Sequence, residues 1–328
     1  MSSRRNRKRL ALVAAVVLAA LPQFAAAQAA PYPSRPIRVI VPSSPGGGLD
    51  IVSRAVAQQL SAAWGQSVVI DNRAGAGGTI GPDIVAKAPP DGYTLLIVSA
   101  TFAVNPSVYP KLPYDSLKDF TPVILATTQP QVLAVHPSVA ARSIKELVVL
   151  AKAQPGRLNY SSPGDGTMSQ LAFEIFKGVA GVDIVHVPYK GAGLSVTAVV
   201  SGETQATSGS VVTVLPHVGS GRLRALASSG KRRTPALADV PTMAEQGLPG
   251  ATVSGWYAYL APPRTPRSIV DKLNAEFTRI LQSPQIREQL ARDGSEAAPG
   301  TPDDLRQHLA SEIERLGKVV RAAARPAP

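Results

Sequence analysis

Apolar positions in this chain fall into short runs that alternate with stretches of helical spacing. Ile37–Val41 reads as a buried strand, and the stripe from Asp50 to Ala63 as a helix. Val68–Ile70, a helix over Ile80–Lys87 and the strand Thr94–Val98 continue the alternation. Pro90-Asp91-Gly92 supplies the tight turn before that third strand. Further strands are expected at Val123–Leu125, Val132–Val135, Leu158–Tyr160, Ile184–Val187, Thr204–Thr207, Leu223–Ala227 and Trp256–Ala261. Helices are expected at Ile144–Ala153, Met168–Val179, Arg267–Leu281, Pro284–Arg292 and Pro302–Arg321. Such alternation predicts an α/β fold of parallel sheets covered by helices. Thr101–Leu117 and Gly230–Gly250 show no clear period, and the tail Arg325–Pro328 reads as disordered.

The pattern places two crossings between lobes, near Val132–Val135 and near Gly255–Leu260, with Trp256 and Tyr257 packing at the hinge. Residues 31–133 with 256–328 would form one discontinuous lobe and 134–255 the other. Ligands of open α/β sheets bind beyond the carboxyl ends of strands, so two facing lobes make a cleft.

One internal repetition sharpens that expectation. Ser43-Ser44-Pro45-Gly46-Gly47-Gly48 follows the first strand and precedes a helix; Ser161-Ser162-Pro163-Gly164-Asp165-Gly166 does the same in the middle segment. Glycines let backbone approach a ligand closely. A helix start leaves N–H groups without partners, and the macrodipole adds positive potential there. The pair reads as two halves of an anion site that needs no fixed cation. The plainer alternative is that each loop is only a strand-to-helix turn.

Composition changes the picture in three ways. Arg4, Arg5, Arg7, Lys8 and Arg9, the apolar run Leu10–Leu21 and Ala25-Ala26-Ala27 have the form of an export signal, taken as residues 1–28. Cysteine is absent, which excludes disulfides, thiolate metal sites and a lipoprotein anchor. The net charge is +12, but five of the 34 basic residues and none of the 22 acids lie in the leader. With aromatics at 5% and no basic stripe, nucleic-acid binding is not supported.

Other motifs add little. Gly75, Gly77 and Gly81 read as a structural turn, because no acid is placed for a ribose. His136, His186, His217 and His308 form no paired metal-ligand motif, and no cofactor is implied. Lys190 reads as solvent-facing, and carboxylates such as Glu312 and Glu314 as lying on exposed helix faces. No nucleophile elbow occurs, so an enzyme on this scaffold is the weaker reading.

The chain resembles the substrate-binding proteins of tripartite tricarboxylate transporters, the Bug or TctC-like family. The resemblance rests on Pro45-Gly46-Gly47-Gly48 with Asp50, Asp71-Asn72-Arg73-Ala74-Gly75-Ala76-Gly77-Gly78 and Pro89-Pro90-Asp91-Gly92-Tyr93-Thr94-Leu95. It continues through Pro113-Tyr114-Asp115 with Lys118-Asp119-Phe120, Ala151-Lys152-Ala153-Gln154-Pro155-Gly156 and His186-Val187-Pro188-Tyr189-Lys190-Gly191. Asp239-Val240-Pro241-Thr242 and Thr301-Pro302 complete it.

The resemblance implies a two-lobed type II periplasmic binding protein fold that is α/β, monomeric and periplasmic. It implies an organic acid held by backbone amides, hydroxyls and water, and delivery to membrane transporter subunits. A ligand-sensing partner of a membrane kinase is the alternative. Carried over by position, the ligand residues are Ser43, Ser44, Pro45, Gly46, Gly47 and Asp50; Ser99, Ala100 and Thr101; Ser161, Gly164, Asp165, Gly166 and Thr167; Tyr189 and Gly191; and Ser208 and Gly209. Three departures stand out. Ser43 replaces a frequent aromatic, Gln170 a frequent His, and Ser208-Gly209 a common Phe-Asp. The last suggests a roomier pocket and argues against an amino-acid ligand.

Overall fold

Ile37–Val41 (β1) is apolar at nearly every position because helices cover both of its faces. It runs parallel to Val68–Asn72 (β2) on one side and to Thr94–Ser99 (β3) on the other. Gly48–Trp64 (α1) connects β1 to β2, and Ile80–Ala86 (α2) leads towards β3. The middle segment repeats this plan. Asn159–Ser162 (β5) runs parallel to Val185–Pro188 (β6) and to Ala206–Ser210 (β7). Met168–Ala180 (α5) follows β5, and Ala192–Val200 (α6) follows β6. The twin loops occupy the same place in each repeat, at the carboxyl end of the strand where the winding reverses, the ligand position of open α/β sheets.

Two strands depart from the expected parallel order. Thr121–Val135 (β4) is one strand where the sequence suggested two. Its first part pairs antiparallel with Ser254–Ala261 (β9) as far as Pro130, and its last part with β7 from Gln131 onward. Arg224–Ser228 (β8) also pairs with that last part, and the two-residue strand Glu296–Ala297 (β10) with the first. β9 lies antiparallel between β3 and β4. The sheets are therefore mixed, and β4 passes from one to the other. The structure is a computed structural model that describes residues 32–292 and 294–323, so the expected export signal and the expected tail Arg325–Pro328 lie outside the described residues. From Arg35 onward the chain forms one compact unit.

Three helices were not legible in the pattern: Thr101–Val108 (α3), α6 and Val211–Gly219 (α7). α3 and α7 each contain a proline, Pro106 and Pro216, and α6 and α7 are rich in valine, which favours strands. Tertiary packing holds them. α3 places Phe102 in a T-shaped contact with Phe120 and stacks it on Tyr114 in the core of the first sheet. Arg267–Gln282 (α8), Pro284–Arg292 (α9) and Pro302–Ala323 (α10) finish the chain. α10 inserts Leu305, Leu309 and Leu316 into that core. Glu312 shares this apolar stripe and is buried, contrary to its expected exposure. The Trp256 Nε1–H donates to it at 3.1 Å, and the Arg315 guanidinium binds both its oxygens. Glu314 is exposed, as expected.

Candidate functional site

The first twin loop is shaped from below. The Asp50 carboxylate is buried, and it accepts from the Gly46 N–H, Arg54 Nε and Asn72 Nδ2, each at 2.9 Å. Burial alone would raise its pKa, but these donors outweigh burial and hold it below the ordinary value. Asn72 also donates to the Ser43 carbonyl at 3.1 Å. Asp50 is thus a clamp under the loop and does not line the cavity described below. Gly46 has φ +81, which the tight turn requires. Ser44, Pro45 and Gly46 form the exposed rim of this loop.

The second loop is tied differently. The Ser161 hydroxyl is buried and donates to the Ser195 carbonyl at 2.8 Å. Ser162 Oγ reaches the Gly164 carbonyl and sits 2.7 Å from His186 Nε2. Thr167 Oγ1 donates to the Gly164 carbonyl at 2.7 Å and also caps α5, accepting from the Gln170 N–H. Gln170 in turn accepts from the Gly166 N–H at 2.7 Å. Gln170 is therefore a local clamp, which explains why a residue other than His serves there. Gly164 (φ +133) and Gly166 (φ +74) shape the turn.

A cavity of about 280 Å³ lies where these loops meet. Ser43, Gly47, Ser99, Thr101, Asp165 and Thr167 all line it. Gly48, the last glycine of the first twin loop, lines it too; the sequence did not point to Gly77, Gly78, Phe102, Asn105 or Tyr109, which also line it, nor to Tyr257, which was expected at the hinge. Tyr257 Oη stands 2.6 Å from where a Cβ on Gly48 would be, so any side chain there would have to displace the Tyr257 hydroxyl. Two helix starts, at Gly48 in α1 and Thr101 in α3, reach the cavity, and no side chain caps either one. The first N–H groups of a helix lack intrahelical acceptors, and of α3's first turn the Ala103 N–H turns back to the Ala100 carbonyl at 3.0 Å. Ser43 Oγ is buried there and has no hydrogen-bond partner. Among the described lining residues there is no Lys, Arg or His.

The remaining expected residues lie off this cavity. Ala100 is buried at the N-cap of α3. The Tyr189 hydroxyl donates to Glu203 at 2.8 Å, and the Gly191 N–H donates to the Pro163 carbonyl at 3.2 Å. Lys190 is exposed. Ser208 and Gly209 are buried in β7 against β4. A Cβ on Gly209 would come within 2.7 Å of Val214, so the small residue admits α7 where a roomier pocket was expected.

His186 sits behind the second loop, stacked on Tyr160, with Nδ1 3.6 Å from Asp165. Burial lowers its pKa, partly opposed by Asp165 and Glu174, so at neutral pH it is an uncharged support.

A larger cavity, about 810 Å³, opens elsewhere, between the turn Gly230–Thr234, the strands β4 and β9, and α10. Arg315 pairs with Glu312 there and Arg232 with Glu296, and Lys231 also lines it. Among the described lining residues no α-helix start opens into it. Size alone does not outweigh the donors gathered at the smaller cavity.

Residues 52–324 match the model of the tripartite tricarboxylate transporter family receptor. Protein BugT of Bordetella pertussis (strain Tohama I) is 39% identical over 318 residues, covering 96% of this chain and 98% of BugT. Rpa4515 of R. palustris, solved with adipate, is 36% identical with a TM-score of 0.84, covering 89% of this chain and 98% of that one. MatC of Rhodopseudomonas palustris, solved with bound malate, is 33% identical with a TM-score of 0.80, covering 88% and 100%. The fold is the two-lobed α/β fold of periplasmic binding proteins.

Proposed function

This chain belongs to the tripartite tricarboxylate transporter receptor family, and on that premise we propose that it is an exported receptor capturing a small organic acid at the twin-loop cavity. One observation carries the placement. Two uncapped helix starts and the buried, unpartnered Ser43 hydroxyl converge on one cavity, in a lining that holds no cation. That is the donor set a carboxylate needs, and hydrogen bonds to a charged group contribute about 1.5–3 kcal/mol each. Thr101 adds a hydroxyl at the rim. The adipate and malate found with the R. palustris relatives support the ligand class.

The lobes are assigned as residues 31–133 with 256–328 and as 134–255, supported by the change of partners along β4 between Pro130 and Gln131. The receptor acts in the periplasm, free of its signal and without a lipid anchor. It works as a monomer, performs no catalysis, and hands its ligand to transporter membrane subunits. The test is a thermal-unfolding screen of organic anions on ligand-stripped protein. A ligand at 100 times its Kd should stabilise by about 2.7 kcal/mol. A broad anion panel that shifts nothing would contradict the receptor reading.

A further inference from the structure

The donors in the cavity account for one carboxylate and leave one group unexplained. Asp165 lines the same cavity as Ser43 and Thr101, and its carboxylate is 73% exposed. It is an acid in a site read as binding acids. Nothing beside it cancels its charge. Gln170 Nε2 donates to it weakly, at 3.3 Å, and is neutral. His186, 3.6 Å away, is uncharged at neutral pH for the reason given above. No Lys, Arg or His stands among the described lining residues.

We propose that Asp165 selects the far end of the ligand: an organic acid with one carboxylate and, at its other end, a hydroxyl or ammonium donor that Asp165 accepts. This rests on the receptor reading above and narrows its ligand class. The first loop offers donors and takes the carboxylate. The second loop has spent its hydroxyls internally, on the Ser195 and Gly164 carbonyls, and presents an acceptor. A ligand spanning both loops therefore needs opposite polarity at its two ends. In a cavity of about 280 Å³, a second carboxylate would stay within the roughly 8 Å over which charges act at physiological ionic strength. This outcome reverses the expectation, drawn from Gly209, that an amino-acid ligand is disfavoured. The acceptor is supplied by Asp165 instead.

Matched pairs of probes test it by isothermal titration: 4-hydroxybutyrate and 4-aminobutyrate against succinate, 6-hydroxyhexanoate and 6-aminohexanoate against adipate, and 4-hydroxybenzoate and 4-aminobenzoate against terephthalate. In at least one set the wild-type protein should bind a hydroxyl or amino member tenfold or more tighter than the dicarboxylate. Asp165→Asn should shrink that ratio to threefold or less, chiefly by improving the dicarboxylate. The substituted residue is exposed, and an unchanged Tm without ligand confirms an intact fold. A wild-type preference for dicarboxylates, or an undiminished ratio in Asp165→Asn, overturns the inference and leaves the receptor reading standing. Failure of every carboxylate to bind overturns both.

Discussion

The two Ser-Ser-Pro-Gly-x-Gly loops share six-residue motifs and topological positions, yet the structure uses their side chains in opposite ways. In the first, Ser43 Oγ is buried without a partner. In the second, Ser161 at the matching position donates to the Ser195 carbonyl. The sixth residue differs as well. Gly48 is needed because the Tyr257 hydroxyl lies over it, and Gly166 because its backbone has φ +74. One glycine serves a close approach and the other a turn. A motif repeated in sequence thus fixes a backbone path twice but does not repeat a role. The role comes from which neighbours reach the loop.

The largest effect should come from removing the clamp of the first loop. Asp50→Ala takes the shared acceptor from Gly46, Arg54 and Asn72, leaving Arg54 only its bond to Asn72 and Asn72 Nδ2 only the Ser43 carbonyl. Urea unfolding should show a loss of about 2–3 kcal/mol. Ligand affinity should fall about 100-fold, because the amides lose their alignment. Gln170→Ala removes the corresponding clamp of the second loop, where Thr167 still ties the turn. It should cost only about 1 kcal/mol. Equal losses in the two variants would erase the distinction between the loops.

The sixth-position glycines should separate stability from binding. Gly48→Ala puts a Cβ 2.6 Å from Tyr257 Oη without straining φ, so affinity should fall about tenfold with little change in unfolding free energy. Gly166→Ala forces a left-handed backbone and should instead cost about 1 kcal/mol of stability.

Acid should loosen the second loop before the first. His186 is held neutral by burial, with Lys177 adding to that effect and Asp165 and Glu174 opposing it. Its folded pKa is lowered, so its contribution is complete above the ordinary value near 6.5 and shrinks as pH falls below it. Asp50 is also lowered, but from 3.8, so the first loop holds until pH falls below the ordinary carboxylate range. A pH series of unfolding free energies, repeated on His186→Gln, should show a shallower decline below about pH 6.5 in the variant, where His217 and His308, also held low by burial, still contribute.

Much of this was readable in sequence because the signals were local. β1 and helix α4 over Ile144–Ala153 fall where their patterns put them. The twin loops were visible as repeated dipeptides and glycines. Glu312 was misread because it was judged by charge; its spacing from Leu305, Leu309 and Leu316 already placed it in the buried stripe. The cavity wall was the least legible part. Asn105 and Tyr109 reach it only because α3 forms despite Pro106, and Tyr257 only because β9 returns antiparallel from far along the chain. Such long-range pairings leave no periodic trace. Tyr189, Ser208 and Gly209 lie off the cavity for the same reason, since Glu203 and Val214 claim their surroundings.

The most direct test of the account is to titrate one carboxylate ligand into Ser43→Ala and Ser161→Ala alongside the wild-type protein, with urea unfolding of each. Ser43→Ala should bind about 10- to 100-fold more weakly, the loss of one hydrogen bond to a charged group of about 1.5–3 kcal/mol, while unfolding free energy stays level or rises. Ser161→Ala should lose about 1 kcal/mol of stability and keep its affinity. The reverse assignment, or unchanged binding in Ser43→Ala, would contradict a carboxylate site built on the first loop.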